Sequence, residues 1–390
     1  MQTKTAGPGA FTAFDLSSVP SPCFVTDLAR LEDNLAVLKD VSDRSGAKIL
    51  TALKAFSLWS TASLVSRYLD GACASGLYEA RLARTRYAQT SAHGLVSCFA
   101  PAYKPQDITE LAELCDHIIF NSPQQIARFS AQARAGGAEI GLRVNPCLPL
   151  GEVEKYDPSA PRSRLGQPLS QIDDDIFDQI SGLHMHSLCE QGFAELEQIL
   201  AVITPLLDRA AGRLSWLNLG GGHMITAPDY DRDALVACLQ HLKQTYQLDI
   251  YLEPGTAIAF DAGILVGEVL DVLDNGGPVA VLDISATCHM PDVLEAPYRP
   301  GLLSEPDTGP VVRLGGPSCL AGDVIGDYRF DRLPVPGQRL AFLDQAHYSM
   351  VKTTTFNGVP LPALALWDSR TGEVEVIREF TYADFEGRLS

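Results

Sequence analysis

The sequence is short of basic residues, and its cysteines lack the spacing of a metal site. Lys and Arg number 30 against 48 Asp and Glu, which gives a formal charge of −18. Because binding to a phosphate backbone needs clustered basic residues, and no basic stripe is present, we expect no nucleic-acid partner. The nine cysteines are odd in number and form neither a CxxC pair nor a Cys/His cluster. Neither a zinc site nor a disulfide framework is therefore expected.

Long apolar runs are also lacking, so no membrane-spanning helix is predicted. Residues 1–13 have neither the basic region nor the apolar region of a signal peptide, and a cytoplasmic location is the resulting prediction. With 46% hydrophobic and 20% charged residues, the composition is typical of a globular protein.

Short apolar runs alternate with amphipathic helical stretches through the first two thirds of the chain. Eight such strand–helix units predict a closed (β/α)8 barrel, an α/β fold of the TIM type. At 390 residues the chain is long enough for a second domain as well. The predicted barrel strands are Ala47–Leu53, Gly71–Ser75, Gly94–Phe99, His117–Phe120, Glu139–Val144, Ser181–His186, Leu214–Leu219 and Asp249–Leu252.

Polar or unusual residues fall where several of these strands end. Lys54 follows the first strand, Arg143 lies near the end of the fifth, and His186 ends the sixth. Gly220–Gly222 follow the seventh strand and Glu253 follows the eighth. Because the active sites of such barrels lie at the carboxyl ends of the strands, this placement predicts an enzyme.

Each of these residues has a chemical and a structural interpretation. Lys54 would be a usable amine nucleophile if burial lowers its pKa, or it would extend to solvent. Gly220–Gly222 would let backbone N–H groups approach a phosphate, or would form a plain tight turn. Glu253 would keep a ring nitrogen protonated by pairing with it, or would be a salt-bridged residue of the barrel rim.

His184 and His186 are two residues apart, so a strand directs both to one face. They are either a pair of metal ligands or a place where one imidazole faces a planar cofactor. Because His223 is the one further histidine near a strand end, the metal interpretation lacks ligands.

After Glu253 the chain changes to short β-rich segments separated by Gly, Pro and Asn. These segments predict an all-β second domain that Pro20–Thr26 joins as an additional strand. The predicted boundaries are residues 1–26, a barrel of 27–255, and a C-terminal domain of 256–390. The long irregular connection 145–167 is predicted to be a lid or substrate loop. The segments are Ile264–Val272, Val279–Ile284, Val311–Leu314, Gln338–Phe342 and Glu373–Arg378.

Two residues of the second domain also carry possible chemistry. Cys319 lies in a turn-rich loop that ends at Asp323, and it is either a functional thiol or a small buried hydrophobe. The hydroxyl of Tyr348 could bind a phosphate or belong to the core.

Together these residues resemble the fold-type III pyridoxal-phosphate enzymes of the ornithine and diaminopimelate decarboxylase group. Two blocks resemble more specifically the carboxynorspermidine decarboxylases within that group. They are HMHSLCEQ (His184–Gln191) and ATCHMPDVLE (Ala286–Glu295). The resemblance extends from about Pro20 to Phe380, and its other motifs are ALKAF (52–56), SGLYEARL (75–82), WLNLGGGH (216–223) and PSCLAGDVIGDY (317–328).

The resemblance implies a role for each residue. Lys54 would bind pyridoxal 5'-phosphate covalently, His186 would stack on its ring, and Glu253 would pair with the ring nitrogen. Cys319 of the partner subunit would donate the proton that replaces CO2, which implies a homodimer with shared active sites. The phosphate would be held by Gly221, Gly222 and Tyr348.

The implied reaction is decarboxylation of carboxynorspermidine, and also of carboxyspermidine, to norspermidine and spermidine in polyamine biosynthesis. The chain departs from the wider group in having Thr256 where an arginine often binds phosphate, and Leu320 where an aspartate often follows the cysteine. The distal amine of the substrate must then meet other acids. The candidate substrate-binding residues are Asp323, Asp292, Glu295 and Arg143.

Three alternatives stay open from the residues. The chain could decarboxylate another amino acid, such as diaminopimelate, arginine or ornithine. It could be a metal-dependent hydrolase built on His184 and His186. It could also be a non-catalytic cofactor carrier, although the segment with Cys319 argues against this.

Overall fold

The structure is a computed structural model of the chain, and it describes residues 5, 7–89, 94–151 and 153–390. Strands alternate with helices up to about residue 255 and predominate after it. The strands are β1 (Cys23–Asp27), β2 (Lys48–Ala52), β3 (Gly71–Ala74), β4 (Leu95–Phe99), β5 (His117–Phe120), β6 (Glu139–Asn145), β7 (Gln167–Pro168), β8 (Gly182–Met185), β9 (Trp216–Asn218), β10 (Asp249–Leu252), β11 (Gly263–Asp274), β12 (Pro278–Leu282), β13 (Val311–Gly315), β14 (Val324–Arg329), β15 (Arg339–Leu343), β16 (Ala363–Trp367) and β17 (Val374–Arg378).

The four longest α-helices, α1, α5, α6 and α7, all lie before β11, and the helices after it are short. They are α1 (Leu28–Ser45), α2 (Ala62–Tyr68), α3 (Leu77–Leu82), α4 (Ile108–Leu114), α5 (Pro123–Ala135), α6 (Phe193–Ala210), α7 (Arg232–Tyr246), α8 (Thr256–Ala259), α9 (Ala286–His289), α10 (Asp292–Glu295) and α11 (Tyr382–Glu386). A turn of π-helix, Ala83–Tyr87, continues α3. In the part of the chain that the structure describes, no helix is both long and apolar enough to cross a bilayer.

Eight parallel strands close into a barrel, as the alternation of strands and helices predicts. The strand order is β5-β4-β3-β2-β10-β9-β8-β6, and β5 pairs with β6 to close the ring. The short β7 also pairs in parallel with the carboxyl end of β6. The sequence prediction of a (β/α)8 barrel is confirmed.

The barrel helices follow from local sequence features. The Ser122 hydroxyl accepts a hydrogen bond from the N–H of Gln125 at the start of α5, and Asp231 accepts one from Ala234 at the start of α7. Such caps satisfy N–H groups that a helix leaves without an internal partner. Each helix then buries one apolar face, for example Leu196, Ile199, Leu200 and Ile203 of α6.

The indole ring of Trp216 lies at the amino-terminal end of the barrel interior, in a buried cluster with Leu50, Ile119 and Tyr251. Trp216 stacks on His117 with ring centres 4.5 Å apart, and its Nε1 donates to Glu139 over 2.8 Å. The strands beside it carry glycine where the ring lies. A Cβ at Gly182 would fall 2.0 Å from the indole, and one at Gly141 would fall 2.4 Å from it. The two glycines therefore make the space that Trp216 occupies.

The second sheet contains strands from both ends of the chain. Its order is β14-β13-β12-β11-β1-β16-β17, and β15 pairs with β11. β1 lies between β11, which is antiparallel to it, and β16, which is parallel. One side chain cluster covers each face: Phe24, Leu265 and Phe342 belong to one, and Val25, Ile264 and Trp367 to the other. The alternation of Phe24 and Val25 between clusters follows the two-residue period of a strand.

The chain divides into two compact units. The barrel unit is Asn34–Ile258, and the sheet unit combines the chain up to Asp33 with Ala259–Ser390. The sequence-based boundaries, after residues 26 and 255, lie three to seven residues earlier. The first boundary moves because α1 begins directly after β1 and leaves no linker between them.

The connection 145–167, predicted to be a lid, is held to the barrel unit by side-chain hydrogen bonds. Asn145 donates through Nδ2 to the carbonyl oxygens of Pro158, at 3.2 Å, and of Leu165, at 2.9 Å. Asp157 accepts from the N–H groups of Gly151 and Ser159 at 2.7 Å each. These contacts give the loop a defined path, and its role as a lid stays a prediction.

Candidate active site

Lys54 lies two residues after the end of β2, at the carboxyl end of the barrel. Its side chain keeps solvent exposure, yet protein atoms surround its amine. Burial lowers the pKa of Lys54, and the nearby charge of Arg143 lowers it further. These surroundings favour the neutral amine.

The imidazole of His186 connects the lysine to the glycine turn. Its Nε2 lies 3.2 Å from Nζ of Lys54, and its Nδ1 accepts a hydrogen bond from the N–H of Gly221 over 2.8 Å. A backbone N–H can only donate, so Nδ1 carries no proton and the proton of the neutral ring is on Nε2. Burial lowers the pKa of His186 well below its usual range, which agrees with a neutral ring.

This arrangement also fixes the state of Lys54. Because Nε2 of His186 carries the proton, it is the donor in the contact with Lys54, and the amine must accept through its lone pair. An ammonium group has no lone pair. The hydrogen bond therefore requires the neutral amine, which is the nucleophilic form.

Glu253 follows β10 and is buried between two donors. Oε1 accepts from Nδ2 of Asn218 over 2.7 Å, and Oε2 lies 3.3 Å from Nε2 of His184. Burial on its own would raise the pKa of Glu253, but the hydrogen bonds from His184 and Asn218 outweigh it. The pKa of Glu253 is lowered to about 2, so the carboxylate is ionised near neutral pH. Burial lowers the pKa of His184.

His184 of β8 and His186, which directly follows β8, do not converge on a shared point. His184 stacks on Phe99 with ring centres 5.5 Å apart, and its centre is 6.5 Å from that of His186. One nitrogen of each ring is engaged by Glu253 or Gly221. Among the described residues, no group of three His, Cys, Asp or Glu side chains is arranged to hold a metal ion.

Arg143 of β6 is buried beside these groups, with 4% of its surface exposed. Its Nη2 donates to the carbonyl oxygen of His186 over 2.7 Å, and its guanidinium lies 4.4 Å from the centre of the Phe99 ring. Burial lowers the pKa of Arg143 to about 10, so it stays charged near neutral pH. Arg143 thus fixes the backbone at His186 and contributes a positive charge near Lys54.

The turn Gly220–Gly222 has no room for side chains. A Cβ at each of the three positions would lie between 2.1 and 2.3 Å from a backbone carbonyl oxygen. Gly220 and Gly222 also adopt positive φ angles of 66° and 85°. The N–H of Gly221 is used by His186, whereas within the described part of the chain the N–H of Gly222 has no protein acceptor.

Thr256 is the residue that stands where the wider group often has a phosphate-binding arginine. Its hydroxyl donates to Oε1 of Glu190 over 3.1 Å. Glu190 itself has a positive φ of 55°, which is uncommon outside glycine. A phosphate that used this hydroxyl would first have to replace Glu190 as its acceptor.

The remaining candidate residues belong to the sheet unit. Cys319 is exposed, and its N–H donates to Oδ1 of Asn357 over 2.7 Å. Tyr348 has a positive φ of 47°, and its ring packs edge-on against His347 with centres 6.1 Å apart. The roles that the resemblance implies for Cys319 and Tyr348 stay predictions.

The three acids expected to bind the distal amine of the substrate already accept hydrogen bonds from other side chains. Asp292 and Glu295 both accept from Nζ of Lys352, the latter over 3.0 Å. Asp323 accepts from the hydroxyls of Ser285 and Ser318 over 2.8 and 2.6 Å. These contacts favour structural roles for the three carboxylates.

Sequence reasoning missed the residues that hold Glu253. The sequence suggests a metal-ligand role for His184 and no role for Asn218. The two-residue period of a strand places His184 on the same face as His186, and Asn218 on the same face as Trp216. That signal directs both side chains into the barrel, but which rim group they contact depends on the pairing of β8, β9 and β10.

Similar proteins are found over nearly the full length of the chain. No protein-family model matches it. A carboxyaminopropylagmatine decarboxylase from Synechocystis sp. is 40% identical over 379 residues, which cover 96% of both chains. A carboxynorspermidine/carboxyspermidine decarboxylase from Campylobacter jejuni is 36% identical over 384 residues, which cover 95% of this chain and 98% of that one.

A solved structure gives the same likeness in three dimensions. It is the carboxynorspermidine decarboxylase from Campylobacter jejuni complexed with norspermidine, with a TM-score of 0.85 and 35% identity. The match covers 95% of this chain and 100% of the other.

Proposed function

The chain belongs to the carboxynorspermidine/carboxyspermidine decarboxylase family, and from this membership we propose that it decarboxylates carboxynorspermidine and carboxyspermidine. The products are norspermidine and spermidine, and the reaction belongs to polyamine biosynthesis. The observation that carries the proposal is the 36% identity to such an enzyme across 95% of this chain, which includes the barrel and the sheet unit.

The cofactor that the family implies is pyridoxal phosphate, and the barrel residues fit it. Lys54 offers a neutral amine 3.2 Å from an imidazole, as covalent attachment requires. The glycine turn leaves no room for side chains and presents the N–H of Gly222. Glu253 is held as an anion. Lys54 would bind the cofactor, His186 would face its ring, Glu253 would pair with its ring nitrogen, and the turn would hold its phosphate.

When bound, the cofactor supplies an acceptor for the electron pair that loss of CO2 leaves behind. Glu253 contributes by keeping a proton on the ring nitrogen, because an adjacent carboxylate favours the charged form. Asn218 and His184 keep Glu253 ionised and oriented through their two hydrogen bonds. Nε2–H of His186 donates a hydrogen bond to the amine of Lys54. Arg143 fixes the backbone at His186 by donating to its carbonyl oxygen.

A second candidate substrate is carboxyaminopropylagmatine, whose far end is a guanidinium rather than an amine. The relative with that name is 40% identical to this chain, against 36% for the Campylobacter jejuni enzyme. Both substrate types share a carboxylated amine end and a long cationic chain. The choice between them depends on how the far cation is bound, and the two chemistries are distinguished directly by turnover.

The remaining roles rest on the sequence resemblance. They are a homodimer, proton donation by Cys319 of the partner subunit, and phosphate binding by Tyr348. In the overall reaction one proton replaces CO2 on the carbon that carried it, and a thiol is able to supply that proton. The cytoplasmic location stays a prediction of the sequence.

The test is turnover of the three carboxylated polyamines by protein loaded with pyridoxal phosphate. Mass spectrometry identifies norspermidine, spermidine or aminopropylagmatine as the product, and the relative kcat/KM values rank the substrates. Turnover of carboxynorspermidine and carboxyspermidine supports the first proposal, and preference for the third compound supports the second. Turnover of diaminopimelate, arginine or ornithine alone would overturn both. A stoichiometric zinc ion with hydrolytic activity would instead support the metal-dependent alternative.

A further inference from the structure

One buried carboxylate anchors the loop that carries Cys319. Asp323 is 4% exposed, and its Oδ2 accepts from the hydroxyls of Ser318, at 2.6 Å, and Ser285, at 2.8 Å. Its Oδ1 accepts from the N–H of Thr287 over 3.2 Å. In the described part of the chain, no lysine or arginine forms an ion pair with Asp323. A buried carboxylate with several donors and no cation is fully committed to the polypeptide around it.

Cys319 lies between this anchor and a second one. Ser318, which Asp323 binds, is its immediate neighbour, and Oδ1 of Asn357 accepts the N–H of Cys319 over 2.7 Å. The loop closes on itself because the N–H of Asp323 donates to the carbonyl oxygen of Leu320 over 2.9 Å. A Cβ at Gly316 would fall 2.3 Å from Oδ2 of Asp323, so the chain passes close to the carboxylate.

We propose that Asp323 is the positioning residue of Cys319, and that it does not bind the distal amine of the substrate. The carboxylate connects Ser318, beside the thiol, to Ser285 and Thr287 at the start of α9, and so fixes where the thiol is presented. The inference rests on the proposed function, because it assumes that Cys319 donates the proton.

The chemistry of the network requires a carboxylate rather than an amide. Asp323 offers lone pairs to two hydroxyls and a backbone N–H, and it donates nothing in return. Asparagine of the same shape would place two N–H donors on one side of this network. One of them would face Ser318 and Ser285, or the N–H of Thr287, and the loop would have to shift.

The first readout is the reactivity of the Cys319 thiol in the holoenzyme, which does not depend on turnover. Limited alkylation with iodoacetamide, followed by peptide mass spectrometry, gives the rate at Cys319 relative to that at Cys147, which is exposed in the barrel unit. We expect Asp323→Asn to change this ratio at least threefold. Asp327→Asn is the matched control, because Asp327 is a partly exposed carboxylate of β14 paired with Arg313.

The second readout separates positioning from substrate binding. If Asp323 acts through Cys319, Asp323→Asn lowers kcat by about 10- to 100-fold, part of the roughly 10²–10⁴ that a placed proton donor contributes. KM stays within about twofold, and substrates with an amine or a guanidinium end are affected equally. In a Cys319→Ala background the same substitution has no further effect, because coupled residues are not additive.

Ser318→Ala removes one hydroxyl of the network and leaves the carboxylate in place. It protects the test against a folding defect of Asp323→Asn, and it should change the Cys319 ratio in the same direction by a smaller factor. An unchanged ratio in both variants, with normal thermal unfolding, would overturn the inference. A raised KM with unchanged thiol reactivity would instead restore Asp323 as a substrate-binding acid. If the wild-type enzyme does not turn over the proposed substrates, but Asp323→Asn still changes the alkylation ratio of Cys319 to Cys147, the result contradicts the proposed function and not the positioning role of Asp323.

Discussion

The N–H of Gly221 determines which nitrogen of His186 carries the proton, since it donates to Nδ1 across 2.8 Å. The proton of the neutral ring is then on Nε2, which lies 3.2 Å from Nζ of Lys54. The turn Gly220–Gly222 after β9 thus determines, through the tautomer of His186, which hydrogen bond the amine of Lys54 makes after β2. The hydrogen-bond geometry at His186 therefore favours the neutral amine of Lys54, and burial, which lowers the pKa of Lys54, acts in the same direction.

Lys54→Ala should abolish turnover and the absorbance of lysine-bound cofactor, because the side chain then has no amine for covalent attachment. Absorbance spectra with added pyridoxal phosphate and a turnover assay provide the measurement. Lys48→Ala is the control: Lys48 begins the same strand and pairs with Asp249 at the opposite end of the barrel. Retained turnover in Lys54→Ala would remove Lys54 from the mechanism.

Glu253→Gln should keep the cofactor bound and lower kcat by about 10²–10³, the range seen when one electrostatic stabiliser is removed. The amide keeps the shape of the side chain but has no charge to hold a proton on the ring nitrogen. Steady-state kinetics and cofactor content are measured together. Glu110→Gln, at an exposed carboxylate paired with Arg81, serves as the control. Full activity of Glu253→Gln would show that the charge is not needed.

His184→Phe should move the acid limb of the kcat/KM profile to higher pH. The ring still stacks on Phe99, but the donor to Glu253 is lost, so the pKa of Glu253 rises. A hydrogen bond to a charged group contributes about 1.5–3 kcal/mol, which corresponds to a shift of about 1–2 pH units. His184→Gln retains a hydrogen-bond donor, so its acid limb should shift less than that of His184→Phe. A profile of His184→Phe identical to that of the wild type would mean that His184 does not tune Glu253.

His223 should make the barrel unit less stable in acid. Burial lowers its pKa from 6.5 to about 4 in the folded chain. Between these values the unfolded chain binds more protons, so the free energy of unfolding falls as the pH falls through this window. One such group contributes a slope of at most about 1.4 kcal/mol per pH unit.

The measurement for His223 is urea unfolding from pH 7.5 to 4.5. His223→Gln should show a shallower loss of unfolding free energy than the wild type over this range. His241→Gln, at an exposed histidine of α7, should match the wild-type slope. Equal slopes in all three proteins would contradict a lowered pKa at His223.

Gly222→Ala should weaken cofactor binding and lower the stability of the barrel unit. Its φ is 85°, and the new Cβ would meet the carbonyl oxygen of Leu188 at 2.1 Å. Gly212→Ala is a matched control, since Gly212 has a φ of 74° but an added Cβ would contact no atom within 4 Å. Comparing the two separates the steric clash from backbone strain, and cofactor affinity is read from fluorescence titration. Equal effects in both variants would assign the loss to strain alone.

Much of the barrel could be predicted from the sequence, because its strands and helices have distinct periodicities. The same pattern placed Lys54, His186 and Glu253 at strand ends, and the structure brings these three into one site. The prediction was weaker in the sheet unit. β14 contains Gly326 and the exposed Asp327, so it lacks the uninterrupted apolar pattern of a buried strand. β16 is apolar throughout, but it is short and follows a proline-rich stretch.

Partnerships between distant residues could not be predicted in the same way. Asp323 follows the cysteine in the sequence, and that position predicts a substrate-binding acid. In the structure its nearest donors include Ser285, which is 38 residues earlier in the chain. Likewise Glu253 meets Asn218 through the pairing of β9 with β10, a register that strand propensity does not specify.

The indole of Trp216 blocks the amino-terminal end of the barrel interior. The interior is therefore reached from the carboxyl ends of the strands. Substrate, product and CO2 must all pass through the same opening at the carboxyl end of the strands. The carboxylated end of a polyamine therefore travels inward first, and additional methylene groups extend outward. Residues outside the barrel interior would then discriminate between polyamines of different length. Enlarging the space around Trp216, Gly141 and Gly182 should therefore not create a preference for longer polyamines.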